Sequence, residues 1–347
     1  MDRWIVFSIE INFINHLVIC KRCYSFIYFW LHPSRPTIIK EQSKKIMNYK
    51  INSLIRIVFS VAIMSILFIS CMKESPISNS VNPVVKYTDI TNAKIAYKVY
   101  GAGDPLIMCM GYATNMDMWS TKAIELLQKK YSLIVFDYRG MGFSTNTDTA
   151  FTISTLADDV NELLISLKIA KTHVLGWSMG GYVAQMFAIN HPEKVNKLVL
   201  YATNGGDTIT VNPSQEIIDI LSNPSSTPEE LLGTLFPDDW LATHPEPWKY
   251  LPEAAEPFKP ETIGLQYYAV QKWLSPGGGS FGHLGQLTVP VLLICGDQDK
   301  VVPHVNSSIL ADSIHTSTLI RVPDSGHGMM YQLPETFANY VLTFLAD

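Results

Sequence analysis

Gly176-Trp177-Ser178-Met179-Gly180-Gly181 follows the apolar pair Val174-Leu175 and precedes a segment, residues 182–190, that reads as a helix. A serine between glycines, with a strand before it and a helix after it, has the form of a nucleophile elbow. The requirement is steric. The serine sits at the apex of a very sharp turn in a strained backbone conformation, so the residues two before and two after it must be small for strand and helix to approach. Gly176 and Gly180 occupy those positions. Six such residues also occur in ordinary glycine-rich loops, so the reading rests on what surrounds them.

Outward from the elbow, apolar runs alternate with segments of helical spacing. Residues 84–88, 94–100, 106–110, 133–136 and 173–177 read as strands before the serine, and 198–202, 289–295 and 318–322 after it. Helical spacing marks 119–130, 153–167 with Thr152 as its N-cap, 304–313 and 335–345. Strands alternating with helices imply an α/β fold, a mainly parallel sheet covered on both faces, here with the two leading strands as an antiparallel edge. From about residue 204 to 284 the strand pattern stops. Prolines, acidic residues and aromatics take over, with helical fragments at 214–221, 228–235 and 261–274, and Gly277-Gly278-Gly279-Ser280 forms a flexible exit.

Three further motifs stand in order along the chain: Asp137-Tyr138-Arg139-Gly140-Met141-Gly142-Phe143-Ser144, then Cys295-Gly296-Asp297-Gln298-Asp299-Lys300-Val301-Val302-Pro303, then Asp324-Ser325-Gly326-His327-Gly328. With the elbow, they make the chain resemble the α/β-hydrolase superfamily over about residues 84–346. The resemblance implies an eight-stranded, mostly parallel sheet with helices on both faces, and a helical lid above the serine at about 204–284. It also implies roles that acid–base chemistry explains. A serine hydroxyl is a poor nucleophile until a base takes its proton, and a histidine titrating near neutrality accepts that proton and returns it to the leaving group. His327 would do this for Ser178, and Asp299 would hold the imidazole in the right tautomer. The family's acid stands three residues after the glycine that ends the strand, which selects Asp299 over Asp297; Asp297 is expected to bond its own turn backbone. Some members carry the acid after the preceding strand, which here points near Asp207. Backbone N–H groups of Tyr112 and Met179 would form the oxyanion hole. Met110-Gly111 replaces the His-Gly usual in the family, and a longer glycine-rich loop is not matched. Asp137 and Arg139 read as anchors of a tight loop.

For substrate, Trp177, Met179, Met329 and Met330 flank the expected catalytic groups, and the lid carries aromatics that include Trp240, Trp248, Tyr267 and Trp273. They point to an apolar pocket. The expectation is a serine hydrolase cleaving a small apolar carboxylic ester through an acyl-enzyme on Ser178. A lactonase, carbon–carbon bond hydrolase, cofactor-free perhydrolase or acyltransferase would use the same triad, and a non-catalytic ligand-binding protein would share the fold. Epoxide hydrolases and dehalogenases use Asp where this chain has Ser178. No cofactor or metal is expected: no residue cluster has metal-ligand spacing, and the elbow glycines do not make a phosphate loop.

Composition sets the remaining limits. Of 347 residues 47% are hydrophobic and 16% charged, which indicates a folded globular chain. Residues 1–70 carry nine Lys and Arg against three Asp and Glu, and residues 71–347 carry 17 against 28. The acidic part lacks the basic face that nucleic acid needs. Cys109 and Cys295 lie in apolar runs and read as small core residues, and Cys20 and Cys23 have no partner cluster for a metal. From Met47 a short basic stretch is followed by an uncharged run, 57–72, shorter than the roughly 20 residues that span a bilayer. Leu67-Phe68-Ile69-Ser70-Cys71 resembles a bacterial lipobox, with Phe68 in place of the preferred Leu. The expected organisation is therefore a mis-assigned extension at 1–46, a signal and lipobox at 47–71 with Cys71 lipidated, a tether at 72–83 and the hydrolase domain at 84–347. That places the protein in the cell envelope, lipid-anchored outside the cytoplasm, with an uncleaved membrane anchor or secretion as the alternatives.

Overall fold

The computed structural model describes residues 83–346 except residue 224, so the signal-like segment and Cys71 lie outside the described residues. The apolar runs become strands covered on both sides. β1 (Lys86–Ile90) and β2 (Ala93–Tyr100) lead into β3 (Asp104–Cys109) and β4 (Tyr131–Phe136), whose last four residues are buried. β5 (Thr172–Trp177), β6 (Val195–Tyr201), β7 (Val291–Gly296) and β8 (Ser317–Val322) follow, and β5 and β7 are buried at every position. Such unbroken apolar strands belong inside a parallel sheet with helices on both faces.

The eight strands form one sheet in the order β1-β2-β4-β3-β5-β6-β7-β8. β1 pairs with β2 and β2 with β4 antiparallel; the other pairings are parallel. The expected antiparallel edge is present. From β3 the chain crosses to β4 on one side, whereas β5 lies on the other. Open α/β sheets bind ligands at such a reversal, beyond the carboxyl ends of the strands. Cys109 of β3 is in register with Gly176 of β5, so the loop at Gly111-Tyr112 and the elbow at Ser178 emerge side by side.

α1 (Thr121–Leu127) starts two residues later than the spacing predicted because Ser120 caps it, its hydroxyl accepting the Ala123 N–H at 3.4 Å, and it ends three residues sooner, at the C-cap Gln128. α2 (Ile153–Ser166) begins at the predicted cap: Thr152 and Thr155 exchange side chain-to-backbone hydrogen bonds, both 3.2 Å. α3 (Met179–Asn190) starts three residues earlier than expected, since the turn at Ser178 leads directly into helix. Between β6 and β7 the described residues hold helices and no strand: α4 (Gln215–Ser222), α5 (Pro228–Leu235), the unforeseen α6 (Asp238–Thr243) and α7 (Pro260–Leu274). α8 (Val305–Ser313) covers β7 and β8, and α9 (Met329–Gln332) leads into α10 (Pro334–Ala346). α1 packs on α10, and α2 on α3. Among the described residues no helix is long and apolar enough to cross a membrane. Cys109 and Cys295 are free and buried; burial pushes the Cys109 thiol up to about 12.

The loop after β4 is anchored as expected. Asp137 Oδ1 accepts the Met116 N–H at 2.8 Å and Oδ2 the Phe143 N–H at 2.9 Å. Arg139 holds Asp159 through two bonds, 2.7 and 2.5 Å, and pairs with Asp148. Burial raises the Asp137 carboxyl from its ordinary value to about 6, partly opposed by the two backbone donors.

Candidate active site

Ser178 joins β5 to α3 with φ 56° and ψ −121°, a region that side chains other than glycine rarely enter. Its N–H donates to the Tyr201 carbonyl at 3.0 Å. Its own carbonyl accepts the Gly181 N–H at 2.8 Å and the Thr203 hydroxyl at 2.8 Å. A Cβ on Gly176 would run into the Gly180 carbonyl, and one on Gly180 into the Cys109 carbonyl. Strand and helix are therefore in backbone contact, which is the steric demand read from the sequence.

His327 lies on the loop after β8 and is buried. Its Nδ1 is 2.9 Å from Asp299 Oδ2. Asp299 Oδ1 accepts the Val301 and Val302 N–H groups at 2.9 and 2.8 Å. A carboxylate only accepts, so it fixes the imidazole proton on Nδ1 and leaves Nε2 with a lone pair. Asp207, the other acid the family pattern allowed, instead accepts from the Gly277 N–H at 3.3 Å; backbone donors from Thr208 and Gly277 hold its carboxyl below the usual range. Asp297 does not make the turn bond expected of it: its Oδ1 is buried with no partner among the described residues.

The two candidate oxyanion donors flank the serine. Met179 is the first residue of α3, and the first N–H groups of a helix have no intrahelical acceptor. Tyr112 follows Gly111, where a Cβ would lie 3.6 Å from Ser178 Cβ, so this loop touches the serine.

A cavity of about 510 Å³ opens on Ser178. Tyr112, Met179, Tyr182, Val301 and Val302 form its core wall. Val211, Ile218, Leu221, Val270 and Leu274 form the cap wall. Uncharged polar side chains, among them Asn204, Thr210, Asn212 and Gln271, complete it, and none of the described residues lining it carries a charge.

Trp177, Met329 and Met330 do not line this cavity, which corrects the expectation drawn from their place in the sequence. The chain turns inward after His327, and Met329 and Met330 are wholly buried at the start of α9. Trp177 is buried beneath the histidine. Its ring stacks 6.2 Å from that of Tyr201 and lies 5.4 Å from the imidazole, and its Nε1–H donates to the His327 carbonyl at 3.2 Å. Tyr201 Oη donates to the same carbonyl at 2.6 Å and accepts the Met330 N–H at 3.2 Å. These residues hold His327 rather than meet a ligand.

Sequence reasoning missed Tyr201, Tyr182, Val301 and Val302. Tyr182 was within reach, because it stands one helical turn after Ser178. So were the valines, which directly follow Asp299. Tyr201 carries no local signal, since its partner is 126 residues away.

The sequence profile described as alpha/beta hydrolase fold matches residues 104–332. The chain belongs to the α/β-hydrolase family. It is similar to a putative carbamate hydrolase, RutD, of Azorhizobium caulinodans, 24% identical over 261 residues that cover 74% of this chain and 96% of that protein. Among solved structures it resembles a hydrolase from Pseudomonas aeruginosa PA01, with TM-score 0.65 and 26% identity, covering 78% of this chain and all of that one. It also resembles a thermophilic esterase from Thermogutta terrifontis, with TM-score 0.64 and 25% identity, covering 76% and 98%. Family and neighbours make this hydrolase-fold chain an enzyme of the hydrolase class.

Proposed function

We propose that the protein hydrolyses uncharged, largely apolar carboxylic esters through an acyl-enzyme. The observation that carries this is a cavity opening on Ser178 and lined by no charged side chain among the described residues, beside a buried His327–Asp299 pair. His327 Nε2 takes the Ser178 proton as Oγ attacks the ester carbonyl. The tetrahedral oxyanion accepts from the Tyr112 and Met179 N–H groups, each worth roughly 3–4 kcal/mol to the transition state. The imidazolium, stabilised by Asp299, gives its proton to the leaving alcohol. Water then enters, His327 takes its proton, and the acid is released. A pocket without a cation leaves a substrate carboxylate unpaired in apolar surroundings, so anionic esters are disfavoured.

A fluorophosphonate probe tests the nucleophile: wild type is expected to label and Ser178→Ala not to. Labelling of folded Ser178→Ala, or none of folded wild type, overturns the assignment. p-Nitrophenyl esters test the pocket: butyrate and longer neutral acyl groups are expected to exceed acetate, and a succinate monoester to be poor. The similarity to the thermophilic esterase is consistent with an ester substrate. We further propose, from sequence alone, that Cys71 carries a lipid that anchors the enzyme in the cell envelope. Metabolic labelling with a fatty acid, lost in Cys71→Ala, checks this; an unlabelled protein retained in membranes would point to an uncleaved anchor, and release to the medium to secretion.

A further inference from the structure

The buried face of α7 consists of Thr262, Gln266, Ala269 and Trp273, spaced four, three and four residues apart. For a buried stripe it is unusually polar, and three of the four bond to loops of the core. Thr262 Oγ1 donates to the Gly140 carbonyl at 2.9 Å, and Trp273 Nε1 to Asn204 Oδ1 at 3.4 Å. Gln266 Oε1 accepts the Ala113 N–H at 2.9 Å. The segment leading into α7 adds two more bonds to the same loop: Asn115 Nδ2 donates to the Glu256 carbonyl at 3.1 Å, and the Ala255 N–H to Asp117 Oδ2 at 3.1 Å. The loop that carries Tyr112 is thus held at alternate residues, Ala113, Asn115 and Asp117, by the cap.

We propose that Gln266 is a positioning residue that sets the direction of the Tyr112 N–H through its bond to Ala113; this rests on the reading of Tyr112 as an oxyanion donor. Ala113 has φ 56°, a conformation that a residue with a Cβ holds only where its surroundings impose it. Its N–H belongs to the peptide unit on the far side of Tyr112, so fixing that unit fixes the backbone rotation that aims the Tyr112 N–H. Only an oxygen can meet the Ala113 N–H, which fixes the orientation of the Gln266 amide. Nε2 is then buried with no partner among the described residues, in a side chain with no exposed surface. An unmatched buried amide is unfavourable, and a leucine or methionine would fill the space without it. Packing alone therefore does not account for a glutamine here, whereas the need for an acceptor at Ala113 does. Thr262, on the same face, clips the cap to a different loop by donating to the Gly140 carbonyl and controls for simple cap docking.

The test compares Gln266→Met, Gln266→Glu and Thr262→Val with wild type in three readouts. These are the rate of Ser178 phosphonylation by a fluorophosphonate, kcat and KM for p-nitrophenyl butyrate, and inhibition by a trifluoromethyl ketone, which forms a tetrahedral oxyanion on the serine. Misaiming one donor is expected to lower kcat and the phosphonylation rate of Gln266→Met by about 10- to 100-fold and to weaken the ketone to match, with KM within about twofold. Gln266→Glu keeps an acceptor oxygen and is expected to recover at least a third of the lost rate on a logarithmic scale; Thr262→Val is expected to stay within about threefold of wild type. The proposal is overturned if Gln266→Met keeps its kcat, if only KM rises, or if Thr262→Val loses as much. Should Gln266→Met not fold, Gln266→Glu decides: a rate and ketone affinity near wild type support the proposal, and a folded protein with intact KM but a lost rate overturns it. If wild type itself is not phosphonylated, the serine-hydrolase reading fails and this proposal with it. If wild type and Gln266→Met label equally, this proposal alone fails.

Discussion

The two walls of the cavity are built differently. On the core side, Ser178 and Met179 belong to a backbone-to-backbone contact between β5 and α3, and Val301 and Val302 donate to the carboxylate that holds His327. On the cap side, α4 lines the cavity with Ile218, Leu221 and Ser222 but buries only Ile217. The first wall cannot shift without breaking buried hydrogen bonds, each of which leaves an unmatched polar group worth roughly 1–3 kcal/mol. The second is held more sparsely, at α4 by the burial of Ile217 and before it by two bonds between the Val211 backbone and the Asn306 amide, 2.9 and 2.8 Å. Geometry that must be exact within tenths of an ångström sits on strand ends, and shape selection is left to the helices. α7 is the exception within the cap, since it is clipped to three core loops.

This contrast can be broken at several points. The largest effect is expected at Asp299→Asn. An amide can donate to the imidazole and favour the wrong tautomer, and kcat should fall by about 10³- to 10⁴-fold with KM little changed; a loss under tenfold in steady-state assays would remove Asp299 from its role. Next is Gly180→Ala, whose methyl would enter the space of the Cys109 and Met110 carbonyls. Backbone cannot yield there as a side chain would, so a loss of about 4 kcal/mol or more is expected in urea unfolding. A variant as stable as wild type would show that strand and helix are free to separate.

The third test is the pH dependence of stability. The Asp137 carboxyl is raised from 3.8 to about 6 by burial. The folded state therefore keeps its proton to higher pH than the unfolded chain does. The stabilising contribution of this group is full below about pH 4 and is lost as pH rises through about 6, a change of ~3 kcal/mol for a shift of about two units. Asp137→Asn should flatten this part of the urea midpoint-against-pH curve; an unchanged slope would assign it to other groups. The smallest effect is expected in the cap wall. Leu221→Ala should change KM for long-chain esters by about two- to fivefold and leave kcat and stability within about 0.5 kcal/mol. A large loss of stability would mean that α4 is as firmly built as the core wall.

Much of this was legible in the chain itself. The elbow, the acid and the histidine are each marked by local backbone demands: glycines where strand meets helix, a turn after β7, a loop after β8. The strands could be read because a strand buried on both faces must be apolar throughout. The ends of elements were less legible, because caps such as Ser120 compete with periodicity. Residues chosen for being next to the expected catalytic groups, Trp177, Met329 and Met330, are buried and do not line the cavity, since neighbours along a strand or at a helix start face different ways.

The sequence by itself determined the alternation of strands and helices, the sharp turn at Ser178 and the short list of groups, His327 with Asp299 or Asp207, that could serve it. Each of these follows from sterics or chemistry within a few residues. Only the tertiary structure decided that His327 meets Asp299 rather than Asp207, that Trp177 and Tyr201 carry the histidine, that none of the described residues lining the cavity is charged, and that Gln266 reaches Ala113. Those contacts join residues 28, 126, 150 and 153 positions apart. Nothing in the local chain encodes them, because they arise only when the sheet order brings distant loops to one end.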